Sequence, residues 1–371
     1  MNHPHNHKPR FLIIKVIGPH EHRDERLSSF WEEESLIKTL RGEVVLKMIQ
    51  HRERPHGATY IGLGKVEEVK ELIKKHFLNY IILNDIVSPG QIFRLEKLLW
   101  EVDLKITVWD RVDLILAIFD RHALSSEAKL QIELAKLRHL GPRIYGLGGT
   151  LLSRQRGGIG GRGIGETNIE RMKRHIKDRI RLIEDKITKT IAQKKEKLLT
   201  RKNNLIKTVA LVGYTNAGKT RFFNFLTGKD KKVADAAFTT LDSYLGKIKK
   251  FNRQSVLMAD TIGFIKNLPP SLIDAFKSTL MESIYGEVVF HVIDAADVNF
   301  KEKAAAVDVI LAKLGVDRKK IVYIFNKLDL ISEQKKQEIE KEFFDTSHYF
   351  VSAATGEGVD KLLEITKGLL V

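Results

Sequence analysis

The residues best suited to chemistry lie in Gly213-Tyr-Thr-Asn-Ala-Gly-Lys-Thr220. Gly213 and Gly218 let the backbone turn tightly, so that the N–H groups of Tyr214, Thr215, Asn216 and Ala217 can face phosphate oxygens. Lys219 is placed to bridge β- and γ-phosphates, and Thr220 to set its hydroxyl on Mg²⁺. An apolar run, Thr208 to Val212, precedes the stretch, and Phe222, Phe223, Phe225 and Leu226 follow in a helical pattern. Strand, glycine turn and helix form the context such a loop needs, and the helix N-terminus adds partial positive charge.

Further stretches follow in a fixed order. Asp260-Thr-Ile-Gly263 closes a predicted strand, Ser255–Ala259. There Asp260 can hold Mg²⁺ through water, and the Gly263 amide can reach the γ-phosphate. Asn326-Lys-Leu-Asp329 follows the predicted strand Ile321–Phe325. The Asp329 carboxylate can accept from guanine N1–H and the 2-amino group, donors that adenine lacks there. Asn326 can contact the guanine acceptor edge, and Lys327 can lay its aliphatic stem along the ring. Ser352-Ala353-Ala354, after the strand His348–Val351, can supply N–H groups to guanine O6.

Between phosphate loop and Asp260 lies Phe238-Thr-Thr-Leu-Asp242, in a segment with a polar, mobile start at Lys229–Lys232. Thr240 is the residue chosen to complete Mg²⁺ coordination when a γ-phosphate is present, with the segment ordered by GTP and released after hydrolysis. Together these elements imply a GTP-hydrolysing domain with Mg²⁺ as cofactor and Lys219, Thr240 and Gly263 as catalytic residues. Phe264 stands where many such domains place a water-orienting glutamine, so intrinsic hydrolysis is expected to be slow.

The elements that position these residues alternate strand and helix over 205–371, a doubly wound α/β nucleotide-binding domain. Residues 11–110 alternate in the same way and read as a smaller parallel α/β domain behind a disordered tail at 1–10. Its Gly62-Leu-Gly-Lys65 precedes a helix and reads either as a tight turn or as a phosphate-holding loop. Residues 111–204 read as an antiparallel α-helical hairpin. Leu116, Phe119, Leu130, Leu134 and Leu137 stripe one arm, and Met172, Ile176, Ile180, Ile183, Ile187 and Ile191 the other. At its end a glycine-rich loop (about 146–165) is expected to hold no helix, since each glycine costs about 1 kcal/mol there.

Lys and Arg number 63 against 47 acids, a net charge of +16. That favours a polyanionic partner, most readily nucleic acid. The exposed face of the second hairpin arm is dense in basic residues, and Arg154, Arg156 and Arg162 sit among the glycines, where arginine can fork onto phosphates or stack on bases. Cysteine is absent, which excludes disulfides and thiolate metal sites. No apolar run approaches the roughly 20 residues a membrane span needs. A monomeric cytoplasmic protein is expected, and peripheral membrane contact is compatible with the composition.

The combination resembles the HflX branch of the Obg–HflX GTPases. The resemblance rests on the phosphate loop, Phe238–Asp242, Asp260–Phe264 and Ala275-Phe-Lys-Ser-Thr279. Upstream it rests on Tyr60–Glu68, Lys129–Ala135, and Leu152-Ser-Arg-Gln155 through Gly165-Glu-Thr167. It implies a GTPase that binds the large ribosomal subunit and its RNA, splits stalled or idle ribosomes, and handles ATP through the N-terminal domain. Departures are Ala354, where lysine covers the base in many relatives, and Arg221-Phe222 after Thr220. The stretch is also similar to glutamine-less GTPases in which an asparagine at the position of Asn216 coordinates K⁺; otherwise Asn216 only caps the turn. Two rival functions are a GTP-dependent RNA or protein adaptor with incidental hydrolysis and an ATP-driven RNA remodeller.

Overall fold

The computed structural model describes residues 8–19, 23–154, 162–231, 244–249, 255–266, 269, 272–273, 276 and 279–370. They pack as two compact units, Met1–Arg121 with Ile132–Asp185, and His122–Gln131 with Lys186–Val371.

The first unit is built on β1 (Arg10–Ile17), β2 (Glu43–His51), β3 (Tyr80–Leu83) and β4 (Thr107–Asp110), with helices α1 (Arg23–Thr39), α2 (Leu63–His76), α3 (Pro89–Leu99) and α4 (Arg111–His122). The strand order is β2-β1-β3-β4, and every pairing is parallel. The run Phe11-Leu-Ile-Ile is buried throughout, as expected for a strand covered on both faces. Leu12, Ile14, Ile81, Leu83 and Val108 meet Val66, Val69, Ile92 and Leu95 in one core. Ser88 and Gln91 cap α3 reciprocally, with Pro89 in its first turn, which fixes where that helix starts.

Helices α5 (Ser126–Arg154) and α6 (Arg162–Asn203) form a hairpin, but the first predicted arm is broken: Leu116 and Phe119 lie on the separate helix α4, and α5 starts at Ser126. Ion pairs Glu127–Lys194 and Arg138–Glu184 show that they run antiparallel. Ile176, Ile183 and Ile187 are buried, whereas Met172 is exposed. The expectation of a helix-free stretch over about 146–165 is corrected at both ends. Helix α5 runs through Gly146–Gly149 to Arg154, and α6 begins at Arg162. Once Ser126–Leu140 has paid for nucleation, each added turn is cheap enough to absorb glycines.

The second unit carries β5 (Lys207–Gly213), α7 (Lys219–Thr227), β6 (Tyr244–Lys247), β7 (Val256–Asp260), α8 (Met281–Tyr285), β8 (Val288–Asp294), α9 (Phe300–Lys313), β9 (Ile321–Asn326), α10 (Glu333–Glu342), β10 (His348–Phe350) and α11 (Val359–Leu369). Its order is β10-β9-β8-β5-β7-β6, parallel except for the antiparallel edge strand β6. Strand β5 lies between β8 and β7, so the phosphate loop leaves the middle of the sheet. Phe222 and Phe223 of α7 are buried with Val209, Leu211, Met258 and Phe290. Burial of each ring contributes roughly 1.5–3 kcal/mol. Phe222, a departure at sequence level, is therefore a core residue, its ring 6.4 Å from that of Phe290. At the far end of α6, Arg201 Nη1 donates to both Glu282 carboxylate oxygens at 3.0 Å.

Candidate functional site

Gly213 ends β5 with φ +149°, and a Cβ there would lie 2.2 Å from Val292 O. Gly218 opens α7 with φ +90°, where a Cβ would lie 2.3 Å from Asn326 Nδ2. Any side chain at either position collides with a neighbouring strand or the base-side loop. Asn216 is left-handed at φ +63°, a conformation asparagine tolerates. The loop is held from one side by Phe264: Phe264 N–H donates to Gly213 O (3.0 Å), and Thr215 N–H donates to Phe264 O (2.8 Å). The Phe264 ring is buried, and it carries no polar group that could orient water.

Lys219 is buried and donates to Gly213 O (3.0 Å) and Tyr214 O (2.7 Å). Burial pulls its ammonium down to about 8, against the Asp260 carboxylate, which raises it; the Lys231 ammonium adds to the lowering. A buried cation of this kind is poised for an anionic ligand. A Cβ on Gly263 would lie 3.1 Å from Lys219 Nζ, which brings the end of the Asp260–Gly263 stretch against that ammonium.

Thr220 Oγ1 donates to Asp260 Oδ2 at 3.0 Å, and Asp260 has no exposed surface. Two hard oxygen donors, Thr220 in the first turn of α7 and Asp260 at the end of β7, fit the preference of Mg²⁺ for a carboxylate and few protein ligands. The start of the Lys229–Lys232 segment is held rather than mobile as far as it is described. Asn224 Nδ2 donates to Lys231 O (2.6 Å), Lys231 N–H donates to Asn224 Oδ1 (3.0 Å), and Lys229 Nζ donates to Leu245 O (2.5 Å). Phe238 and Thr240 lie outside the described residues.

On the base side, Asn326 is buried at the end of β9. Its Nδ2 donates to Ala217 O (2.8 Å) and its Oδ1 accepts from Ala353 N–H (3.0 Å). Both ends of the amide thus brace protein loops. Ser352 Oγ donates to Asp329 Oδ1 (2.5 Å) and accepts from Ala354 N–H (3.2 Å). Lys327, at φ +66°, reaches Asp294 Oδ2 at 2.6 Å. Sequence reasoning missed the Asn326 brace, the Asp294 partner and Lys231, whose Nζ lies 2.8 Å from Asp260 Oδ2. None of these has a local signal, because each joins elements far apart in the chain.

In the first unit, Gly62 caps α2, its N–H donating to Gln50 Oε1 (2.9 Å), and Lys65 pairs with Glu68 at 2.5 Å. That is the tight-turn arrangement. Of the proposed RNA contacts, Arg156 lies outside the described residues; Arg154 ends α5 and Arg162 begins α6.

A phosphate loop leaving the central strand of a parallel sheet, a carboxylate at the next strand's tip and an Asn326–Asp329 base loop define a P-loop GTPase. Residues 28–120 match the family described as GTP-binding GTPase N-terminal, 122–201 the GTP-binding GTPase middle region, and 208–327 the 50S ribosome-binding GTPase. A GTPase HflX of Caldanaerobacter subterraneus is 39% identical over 96% of this chain and 79% of its own length. The Escherichia coli GTPase HflX is 36% identical over 92% and 79%. The crystal structure of SsGBP in complex with GDP is 25% identical, with a TM-score of 0.55 over 98% of this chain and 100% of that one. The chain belongs to the HflX family of GTPases, enzymes that bind and hydrolyse GTP. No helix among the described residues is long and apolar enough to cross a membrane.

Proposed function

We propose that this GTPase acts on the large ribosomal subunit and splits stalled or idle ribosomes, as a cytoplasmic monomer. The observation that carries the proposal is the match of residues 208–327 to a family described as 50S ribosome-binding GTPases. The exposed side chains of Arg171, Lys173, Arg174, Lys177 and Arg181 on α6 support it, since neutralised phosphates give strong, salt-dependent binding. Arg154, Arg156 and Arg162 grip ribosomal RNA.

In the G domain, backbone groups of Gly213–Gly218 cradle the β- and γ-phosphates, and Lys219 leaves its carbonyl partners for them. Thr220, Asp260 (through water) and Thr240 hold Mg²⁺, which neutralises charge on the phosphate oxygens when bound. Gly263 directs its amide to the γ-phosphate, and Phe238 flanks the nucleotide. Asp329 selects guanine, with Lys327 along its face and Ser352, Ala353 and Ala354 at O6. Asn216 holds K⁺ beside the phosphates, which compensates for the absence of a glutamine at 264. The N-terminal unit handles ATP, and the protein can touch membrane surfaces peripherally.

The test is sedimentation with purified large subunits and a GTP analogue, together with turnover in K⁺ or Na⁺ at equal ionic strength. Replacing Arg154, Arg156 and Arg162 by alanine is expected to weaken co-sedimentation at least tenfold and remove ribosome stimulation, with GDP affinity unchanged. Wild-type co-sedimentation by the triple variant would move the grip elsewhere. Equal rates in the two salts would remove K⁺.

A further inference from the structure

Lys231 is the charged residue at the phosphate site that the proposed chemistry does not use. Its ammonium lies 2.8 Å from Asp260 Oδ2, the same oxygen that accepts from Thr220 Oγ1 at 3.0 Å. It also sits over the Tyr244 ring, 3.8 Å from the centroid. The Lys231 side chain is only 15% exposed and that of Asp260 not at all. The main chain of Lys231 is fixed in both directions by the Asn224 amide. Asn224 stands one turn after Thr220 on α7, so one helix presents both the hydroxyl and the clamp for the lysine.

We propose that Lys231 is a built-in competitor of the divalent cation, its ammonium neutralising Asp260 until Mg²⁺ arrives with the nucleotide. The proposal rests on the assignment of Thr220 and Asp260 as the Mg²⁺ residues. Thr220 Oγ1 and, through water, Asp260 would hold the dication, and the Lys231 ammonium contacts the same Asp260 oxygen. Two like charges so close in a desolvated site repel strongly, so both do not stay. The lysine yields because it is tethered by a flexible stem, and the Asn224 clamp keeps its main chain in place while the ammonium swings out. The electrostatic logic has two sides. Without nucleotide, Lys231 adds a cation in direct contact with a buried carboxylate that also accepts from Thr220 Oγ1. With nucleotide, parting Lys231 from Asp260 subtracts from the gain on binding the metal. The device makes capture of the metal weaker than the ligands alone would set.

The experiment measures dissociation of a fluorescent GDP across a Mg²⁺ titration, with thermal melting of the nucleotide-free protein as a second readout. In Lys231→Met, the Mg²⁺ concentration for half-maximal retention is expected to fall on the order of tenfold. The nucleotide-free protein melts several degrees lower, while the Mg²⁺·GDP forms of variant and wild type melt alike. Lys231→Arg keeps the charge and behaves as wild type. If Lys231→Met does not fold, Asn224→Ala, which frees the clamp but keeps the lysine, lowers the Mg²⁺ midpoint in the same direction. A Lys231→Met midpoint equal to wild type, or an Asn224→Ala midpoint equal to wild type where Lys231→Met is unusable, overturns the proposal. Thr220→Ala separates the two readings. If it too leaves the midpoint unchanged, the metal assignment fails; if it abolishes the Mg²⁺ response while Lys231→Met matches wild type, only the competitor fails.

Discussion

The Asn326 side chain donates to Ala217 O at 2.8 Å and so ties the base-selecting loop directly to the phosphate loop. Its other end accepts from Ala353 N–H, so one amide joins three loops at the nucleotide site. An interaction of this kind sets distance: it fixes how far the guanine pocket lies from the phosphate cradle.

Asn326→Asp removes the donor and sets a carboxylate oxygen against the Ala217 carbonyl. The loss of a buried hydrogen bond and the unsatisfied acceptor cost roughly 1–3 kcal/mol. GDP affinity measured by calorimetry is expected to fall at least tenfold, with a lower melting temperature. Unchanged affinity would show that the brace does not position the loops.

Lys219 gives a second prediction. Its ammonium is held at about 8 by burial, opposed by Asp260. Phosphate oxygens in contact restore the charged form, so nucleotide binding takes up protons. At pH 8 the uptake is about half a proton per GDP, and it vanishes near pH 6, where Lys219 is already charged. Titrations in two buffers of different ionisation enthalpy read the uptake as a difference in heat. Lys219→Arg, which stays charged, removes it. Equal heats for wild type at pH 8 would contradict a depressed lysine.

The third concerns the N-terminal unit. His139 on α5 lies 3.1 Å from Asp110 and 3.4 Å from Asp113, at the start of α4. Burial pulls its imidazole down, but the two carboxylates prevail and raise it from 6.5 to about 9. The raised value means the folded state holds the proton more tightly than the unfolded chain. The resulting stability is complete below pH 6.5 and is lost as pH rises through about 9. His139→Gln is expected to destabilise this unit by up to about 3 kcal/mol at pH 6 and by little above pH 9.5, followed by urea unfolding. A pH-independent difference would argue against the charged triad.

Much of this was readable from the chain. The strand predicted at Ile321–Phe325 matches β9 to within one residue, and the phosphate loop opens α7 at Lys219 as its spacing requires. Local patterns of this kind are written in periodicity and turn chemistry. The glycines at 146–149 misled because propensity is a weak prior beside a helix already under way. The contacts of Lys231, Asn326 and His139 were illegible for another reason. Their partners Asp260, Ala217 and Asp110 are distant in sequence, and only the folded sheet brings them together.

The burial of Phe264 bears on timing. Position 264 grips the phosphate loop through its main chain and turns its ring into the core, so it serves as scaffold and supplies no reagent. Under the proposed function, loading and firing become separate events: position 264 leaves the reagent to a docked partner or ion, and measured turnover would count productive encounters rather than molecules of enzyme.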